Sequence, residues 1–253
     1  MTEKTVLPRL VDAHAHLEDI PNIDEEIARA GEAGVIAIVA VGMDEKSNEA
    51  ALEISCRHQG LVFPALGLHP WNLQEDFAPV LESMERKIDG CVAVGEVGLD
   101  FKMQKPKELQ VAAFRGVLEL AKKHGKPVIV HSRWAWSEAF DIVKEVGVGR
   151  VIFHWYSGPM DILREILDLG HLVSATPAVE YSEYHRPVVA EVPLSQLVLE
   201  TDSPVVYRGR PSRPADVAGV LRAVAKLKGE SEERVAEATT ENAAKLFNFE
   251  KFQ

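Results

Sequence analysis

Cysteine is scarce in this chain of 253 residues, which holds only Cys56 and Cys91. Two thiols in dissimilar contexts make neither a disulfide framework nor a zinc–thiolate site, and they fit a reducing compartment. Long hydrophobic runs are also missing. No stretch approaches the ~18 apolar residues of a membrane-crossing helix, and the opening MTEKTVLPRLVDAHAH has no continuous apolar segment of the signal-peptide kind. Positive charge is short too: 28 Lys and Arg stand against 39 Asp and Glu, a formal net charge of −11. That balance argues against a broad basic surface gripping nucleic acid. It leaves room for an enzyme whose bound divalent cations supply positive charge locally. No G-x-G-x-x-G follows the first apolar run, so a dinucleotide-binding sheet has no support. No low-complexity tract, charge block or composition shift marks a boundary. The expectation is a soluble cytoplasmic protein of one domain over residues 1–253, without membrane association or an evident protein partner, monomeric or a small homo-oligomer.

What is present is ordinary globular material, 46% hydrophobic and 26% charged, enough for a sizeable core. Apolar runs rich in Val, Ile and Leu predict strands over Leu10–Leu17, Val35–Val41, Leu61–Leu68, Cys91–Leu99, Pro127–His131, Val151–His154, His171–Thr176 and Leu197–Glu200. They are apolar on both faces, as parallel strands covered on both sides must be. Amphipathic stretches alternate with them. Ile23–Ala33 repeats apolar residues at helical spacing, Lys107–His124 does so and closes on Gly125, and Ser231 precedes Glu232 and Glu233 as an N-cap would. The strand ends recur about every 27 residues, and eight such β–α units in a chain near ~250 residues predict a closed (β/α)8 barrel.

The polar residues fall at the carboxyl ends of these runs, the end where such barrels carry their chemistry. Asp12, His14 and His16 alternate with Ala13 and Ala15. Strict strand alternation would send all three toward the barrel interior. Two imidazoles side by side can hold a divalent metal. Glu96, His131, His154 and Asp202 close the fourth, fifth, sixth and eighth runs. One such residue would be a satisfied core polar group. Six crowded together call for a cation. His69 closes the third run and Arg133 lies two residues beyond His131, both placed to contact an anion. His58, His124 and His171 lie away from these ends and read as surface or packing residues. His185, in a loop after the seventh run, reads as solvent-facing. Trp134, Trp136, Trp155 and Tyr156 would line or rim the mouth, packing the loops or stacking on unpaired bases.

Taken in order, Val11-Asp12-Ala13-His14-Ala15-His16-Leu17, Gly67-Leu68-His69-Pro70, Gly95-Glu96-Val97-Gly98-Leu99-Asp100, His131-Ser132-Arg133, His154-Trp155-Tyr156-Ser157-Gly158 and Glu200-Thr201-Asp202-Ser203-Pro204 resemble the TatD-related DNases of the amidohydrolase superfamily. Thr240–Phe247 is similar to the family's carboxyl-terminal helix. The chain departs from the family at Trp134, where an acid is common, and at Trp155-Tyr156, where Cys-Phe is usual. The resemblance implies one or two divalent ions (Zn, Mg, Mn or similar) and hydrolysis of DNA phosphodiester bonds, commonly from the 3′ end. His14, His16 and Asp202 would hold one ion, His131 and His154 the second, and Glu96 would bridge them. His69 and Arg133 would contact phosphate. Glu96 and Asp202 would be the catalytic carboxylates, Asp202 taking a proton from the attacking water. Two alternatives stand beside this reading: a superfamily hydrolase of a small ester, lactone or amide, and a metal-binding scaffold without activity.

Overall fold

The structure is a computed structural model describing residues 7–252. Residues 1–6, part of the amino-terminal stretch considered above, lie outside the described residues. Eight strands run in sequence order: β1 (Leu10–Ala15), β2 (Val35–Val41), β3 (Val62–Leu68), β4 (Ala93–Asp100), β5 (Val128–Arg133), β6 (Val151–Phe153), β7 (Leu172–Ala175) and β8 (Leu197–Leu199). Every neighbouring pair is parallel, and the sheet order follows the sequence from β1 through β8. The seam closes between the ends of β1 and β8. There the His16 N–H donates to Ser203 O at 2.7 Å and the Asp202 N–H to His14 O at 3.0 Å. The result is the expected (β/α)8 barrel.

Helices α1 (Ile23–Glu32), α2 (Glu45–Arg57), α3 (Ala78–Lys87), α4 (Lys107–Lys123), α5 (Trp136–Val146), α6 (Met160–Asp168) and α7 (His185–Glu191) follow β1 to β7. Beyond β8 come a two-stranded hairpin, β9 (Val206–Tyr207) and β10 (Arg210–Pro211), then α8 (Val217–Lys228) and α9 (Glu232–Phe247). Local chemistry sets several starts. Asp44 accepts from the Ser47 N–H at 2.8 Å while Ser47 Oγ accepts from the Asp44 N–H, a reciprocal cap on α2. Ser231 Oγ accepts from the Arg234 N–H at the start of α9, as its sequence position predicted.

Two apolar layers follow from strand alternation. Leu10, Val94, Val97, Val128, Val130, Val151, Phe153 and Leu199 pack outward against helix residues such as Phe114, Phe140, Leu163 and Val220. Val11, Ala13, Val39, Phe63, Ala93, Ile129, Ile152, Leu172 and Val198 fill the lumen, which Phe247 and Phe249 close at the amino ends of the strands. The lumen is therefore packed from below, and the polar side chains occupy only its upper layer. Among the described residues no helix is long and apolar enough to cross a membrane.

Candidate metal centre at the carboxyl ends of the strands

Strict alternation does not deliver the donors; two irregularities do. In β1, Val11 and Ala13 belong to the lumen layer but Ala15 to the outer layer, and the β1–β2 register shifts between Asp12 and Ala15. The extra residue turns His14 and His16 inward and leaves Asp12 on the other phase. Asp12 is therefore not a third member of the histidine set. Fully buried, it accepts from the Thr201 N–H at 2.8 Å and the Thr201 hydroxyl at 2.6 Å, fastening β1 to the segment that follows β8.

The second irregularity lies in β4, where Ala93 faces the lumen, Val94 and Val97 face outward, and the register with both neighbours shifts between Val94 and Val97. This carries Glu96 inward. Its N–H donates past β3 to Gly42 O at 2.9 Å, and only glycine fits at position 67 between them. A Cβ there would overlap the Gly42 carbonyl and the Glu96 backbone. His131 and His154 need no such device, since simple alternation from Ile129 and Ile152 points them inward.

Around Glu96 the donors divide into two groups. His14 Nε2 and His16 Nε2 lie 3.2 Å apart, at 3.5 and 3.4 Å from Glu96 Oε2, and each 3.4 Å from Asp202 Oδ1. His14, His16 and Glu96 stand close enough together to hold one ion, with N and O donors of the kind that zinc takes, and Asp202 flanks both imidazoles. The other oxygen, Oε1, faces His131 Nδ1 at 2.8 Å and His154 Nε2 at 3.0 Å. Both Nδ1 atoms of the first pair and Nε2 of His131 are buried without a hydrogen-bond partner. The donor chemistry, imidazole nitrogens and carboxylate oxygens crowded into one buried site, fits a divalent cation.

The electrostatics agree. Burial alone would lower the His16 imidazole, but the Asp202 and Glu96 carboxylates push it up to about 10. At His154 the Glu96 and Glu200 carboxylates outweigh burial, raising it well above the ordinary value. Burial would lift the Glu96 carboxyl, yet the surrounding imidazoles hold it well below the usual range. The cluster keeps protons where a cation would sit, and loading would release them.

His69 sits against Glu96 too, with Nε2 at 3.3 Å from Oε1, within reach of the second group. Its Nδ1, however, accepts the Trp71 backbone N–H at 3.1 Å. Burial holds the ring neutral, with its pKa lowered to about 4. A neutral imidazole accepting at Nδ1 carries its proton on Nε2, so His69 presents an N–H donor instead of a ligand lone pair. Arg133 stands on the rim with its side chain 42% exposed, 4.0 Å from Asp100 Oδ2. Asp100 also accepts the Trp71 indole N–H at 2.7 Å, tying the loops after β3, β4 and β5 together.

One residue of the site escaped sequence reasoning. Glu200, fully buried, accepts from His154 Nδ1 at 3.0 Å and so aims the Nε2 lone pair at the site. The signal was available: Leu197 and Leu199 face out and Val198 faces in, so Glu200 must face in. His185 is corrected as well. It opens α7, is wholly buried, accepts the Thr176 N–H at 3.2 Å and donates Nδ1–H to Tyr156 O at 2.9 Å. Tyr156 is core and not rim, with its hydroxyl donated to Pro159 O. Trp155 and Trp136 are half-buried, while Trp134 is 61% exposed at the mouth. His58 and His124 pair with Asp24 and Glu85 away from the site, and His171 packs near Phe153.

Fold and site together define a metal-dependent hydrolase of the barrel class. Over residues 11–248 the chain matches the family described as TatD related DNase, and it belongs to that family. It is 33% identical over 258 residues to human deoxyribonuclease TATDN3, covering 94% of each chain. The uncharacterized metal-dependent hydrolase YabD of Bacillus subtilis is 34% identical over 255 residues, 94% of this chain and 98% of that one. Among solved structures, the TatD homologue YjjV of Escherichia coli superposes with a TM-score of 0.88 at 29% identity, over 96% of this chain and 99% of that one.

Proposed function

We propose that the protein hydrolyses phosphodiester bonds of DNA by water attack at this centre. His14, His16, Glu96 and Asp202 would hold one divalent ion, and His131 and His154, sharing Glu96, a second. Such ions supply Lewis acidity and make water acidic enough to attack at neutral pH. The protein's own groups do the rest. Asp202, with one oxygen turned to His14 and His16, takes the proton of the attacking water on the other. His69 donates its Nε2–H to a phosphate oxygen, and Arg133 balances the charge that grows there. Glu200 keeps His154 in the tautomer that the site needs.

The observation that carries the nucleic-acid part is the rim. Trp71 and Trp134 stand 45% and 61% exposed on the loops that also carry His69 and Arg133. Exposed aromatic faces beside a cationic side chain suit unpaired bases on either side of a scissile phosphate. The human relative's name carries the same substrate. Two free cysteines, Cys56 exposed and Cys91 buried, are in keeping with a cytoplasmic setting.

Elemental analysis of the purified protein, followed by assays on single-stranded DNA, RNA and a panel of esters and lactones with the metal found, tests the reading. DNA cleavage is expected. Turnover of esters alone would transfer the protein to the small-substrate hydrolases of the superfamily. Oligonucleotides labelled at the 5′ or the 3′ end decide the direction, which we propose is from the 3′ end.

A further inference from the structure

A polar cavity of about 340 Å³ lies on the β7–β8 side of the barrel mouth. Its walls are the short 3-10 helix Pro177–Glu180 after β7, the β9–β10 hairpin after β8, and the first turns of α8. It therefore opens on the same face of the barrel as the donors. Tyr207, which lines the cavity, stacks 5.4 Å from the ring of Trp155, the residue after His154. The turn that launches the hairpin begins with the Val205 N–H donating to Asp202 O at 2.9 Å.

In a chain of net charge −11, this cavity gathers Arg208, Arg210 and Arg222. Two of the three are held in place by acids on the same walls. Arg208 lies 3.9 Å from Glu180 and over the Tyr181 ring at 4.7 Å, and Arg210 pairs with Asp216. Exposed Arg222 makes no hydrogen bond or ion pair among the described residues. An arginine left unpaired beside two pre-positioned ones, in a concave site with a partly exposed tyrosine, is a site for an anion with a planar group attached. The volume falls at the small end of the ~300–1,000 Å³ typical of small-ligand sites. Loops after the seventh and eighth strands are also where barrels of this class frequently bind phosphate.

We propose that this cavity holds a phosphate of the substrate strand other than the scissile one, on Arg222 and Arg208, with the adjoining base against Tyr181. The proposal rests on the nuclease reading above and adds to it a fixed anchor for the strand on the β7–β8 side of the mouth.

The test uses the full chain and a fluorescein-labelled single-stranded DNA pentanucleotide. Binding is followed by anisotropy at several salt concentrations in chelator, and hydrolysis is followed with metal. Arg222→Ala and Arg208→Ala are each expected to weaken binding about fivefold to tenfold, the loss of one partly exposed charge-assisted contact. Each should also reduce the slope of log K against log salt by about 0.7, the value for one single-strand phosphate contact. Arg222→Lys should restore most of both. In hydrolysis, the loss on the pentanucleotide should exceed that on bis(p-nitrophenyl) phosphate, which is too short to span both sites, by at least about fivefold. Unchanged affinity and slope in both alanine variants, or equal losses on the two substrates, would overturn the anchor. Failure of the nuclease reading looks different: the unaltered protein would then hydrolyse small esters and neither bind nor cut the pentanucleotide.

Discussion

Glu200 and His154 form one functional unit: the Glu200 carboxylate accepts His154 Nδ1–H at 3.0 Å, and the opposite nitrogen of that ring meets Glu96 Oε1 at 3.0 Å. A carboxylate behind a ligating imidazole fixes its tautomer and sharpens its basicity. Glu200→Ala should lower affinity for the divalent ion about 10- to 100-fold while the fold survives. Metal content after dialysis against graded chelator measures this, and wild-type retention would reduce Glu200 to packing.

Glu96 and Asp202 carry a heavier load. Glu96 faces both donor groups and Asp202 lies against both imidazoles of the first, so in the proposed two-ion centre removing either carboxylate takes away a ligand. Asp202→Asn should cost about 10²–10⁴-fold in turnover, the range for a lost general base, and Glu96→Ala at least as much. Both should stay folded, since lumen and outer layer are untouched, which circular dichroism and thermal melting can verify. Near-normal turnover in either variant would exclude the two-group centre.

The strands were legible because parallel strands covered on both faces are written as continuous apolar runs. All eight begin or end within two residues of their sequence-derived positions. The donors' strand ends were equally plain, since a polar residue after Ile152-Phe153 or Leu197–Leu199 has nowhere else to go. Phase was the hidden variable. Asp12 was grouped with His14 and His16 on a two-residue period, and the extra residue in β1 moved it to the outer phase, where Thr201 holds it. An irregularity of that kind leaves no trace in local composition. His185 was misplaced for a different reason. A histidine between a strand and a short helix looks solvated until the helix that buries it is drawn, and Thr176 and Tyr156, its partners, are 9 and 29 residues away. The β9–β10 hairpin, two residues to a strand, is too short for any periodicity.

Arg133 separates substrate binding from metal binding. Its guanidinium forms an ion pair with Asp100, at 4.0 Å, and with none of the proposed ligands among the described residues. Arg133→Ala should raise KM or lower kcat/KM on DNA by about tenfold or more, the scale of a lost cationic contact to phosphate, and leave metal stoichiometry unchanged. Parallel losses in the metal assay and the nuclease assay would mean that Arg133 holds the loops together instead.

His185 links acidity to stability just behind the donors, close enough for Glu200 and His154 to act on its charge. Burial lowers its pKa from the ordinary 6.5 to about 4, and both ring nitrogens are engaged with backbone groups in the neutral form. The unfolded chain therefore binds a proton between pH about 6.5 and about 4 that the native protein refuses. The sign follows: stability attributable to this residue is fully present above pH 6.5 and is lost progressively as pH falls toward 4. Over that window the loss amounts to about 3 kcal/mol. Urea unfolding of the wild type and of His185→Gln across pH 4–7 isolates the effect, because every other titrating group is common to both. The variant should be less stable at neutral pH, having lost a fitted imidazole, and the difference should shrink as the pH is lowered. A gap that stays constant from pH 7 to 4 would show that His185 titrates in the folded protein as it does in the unfolded chain.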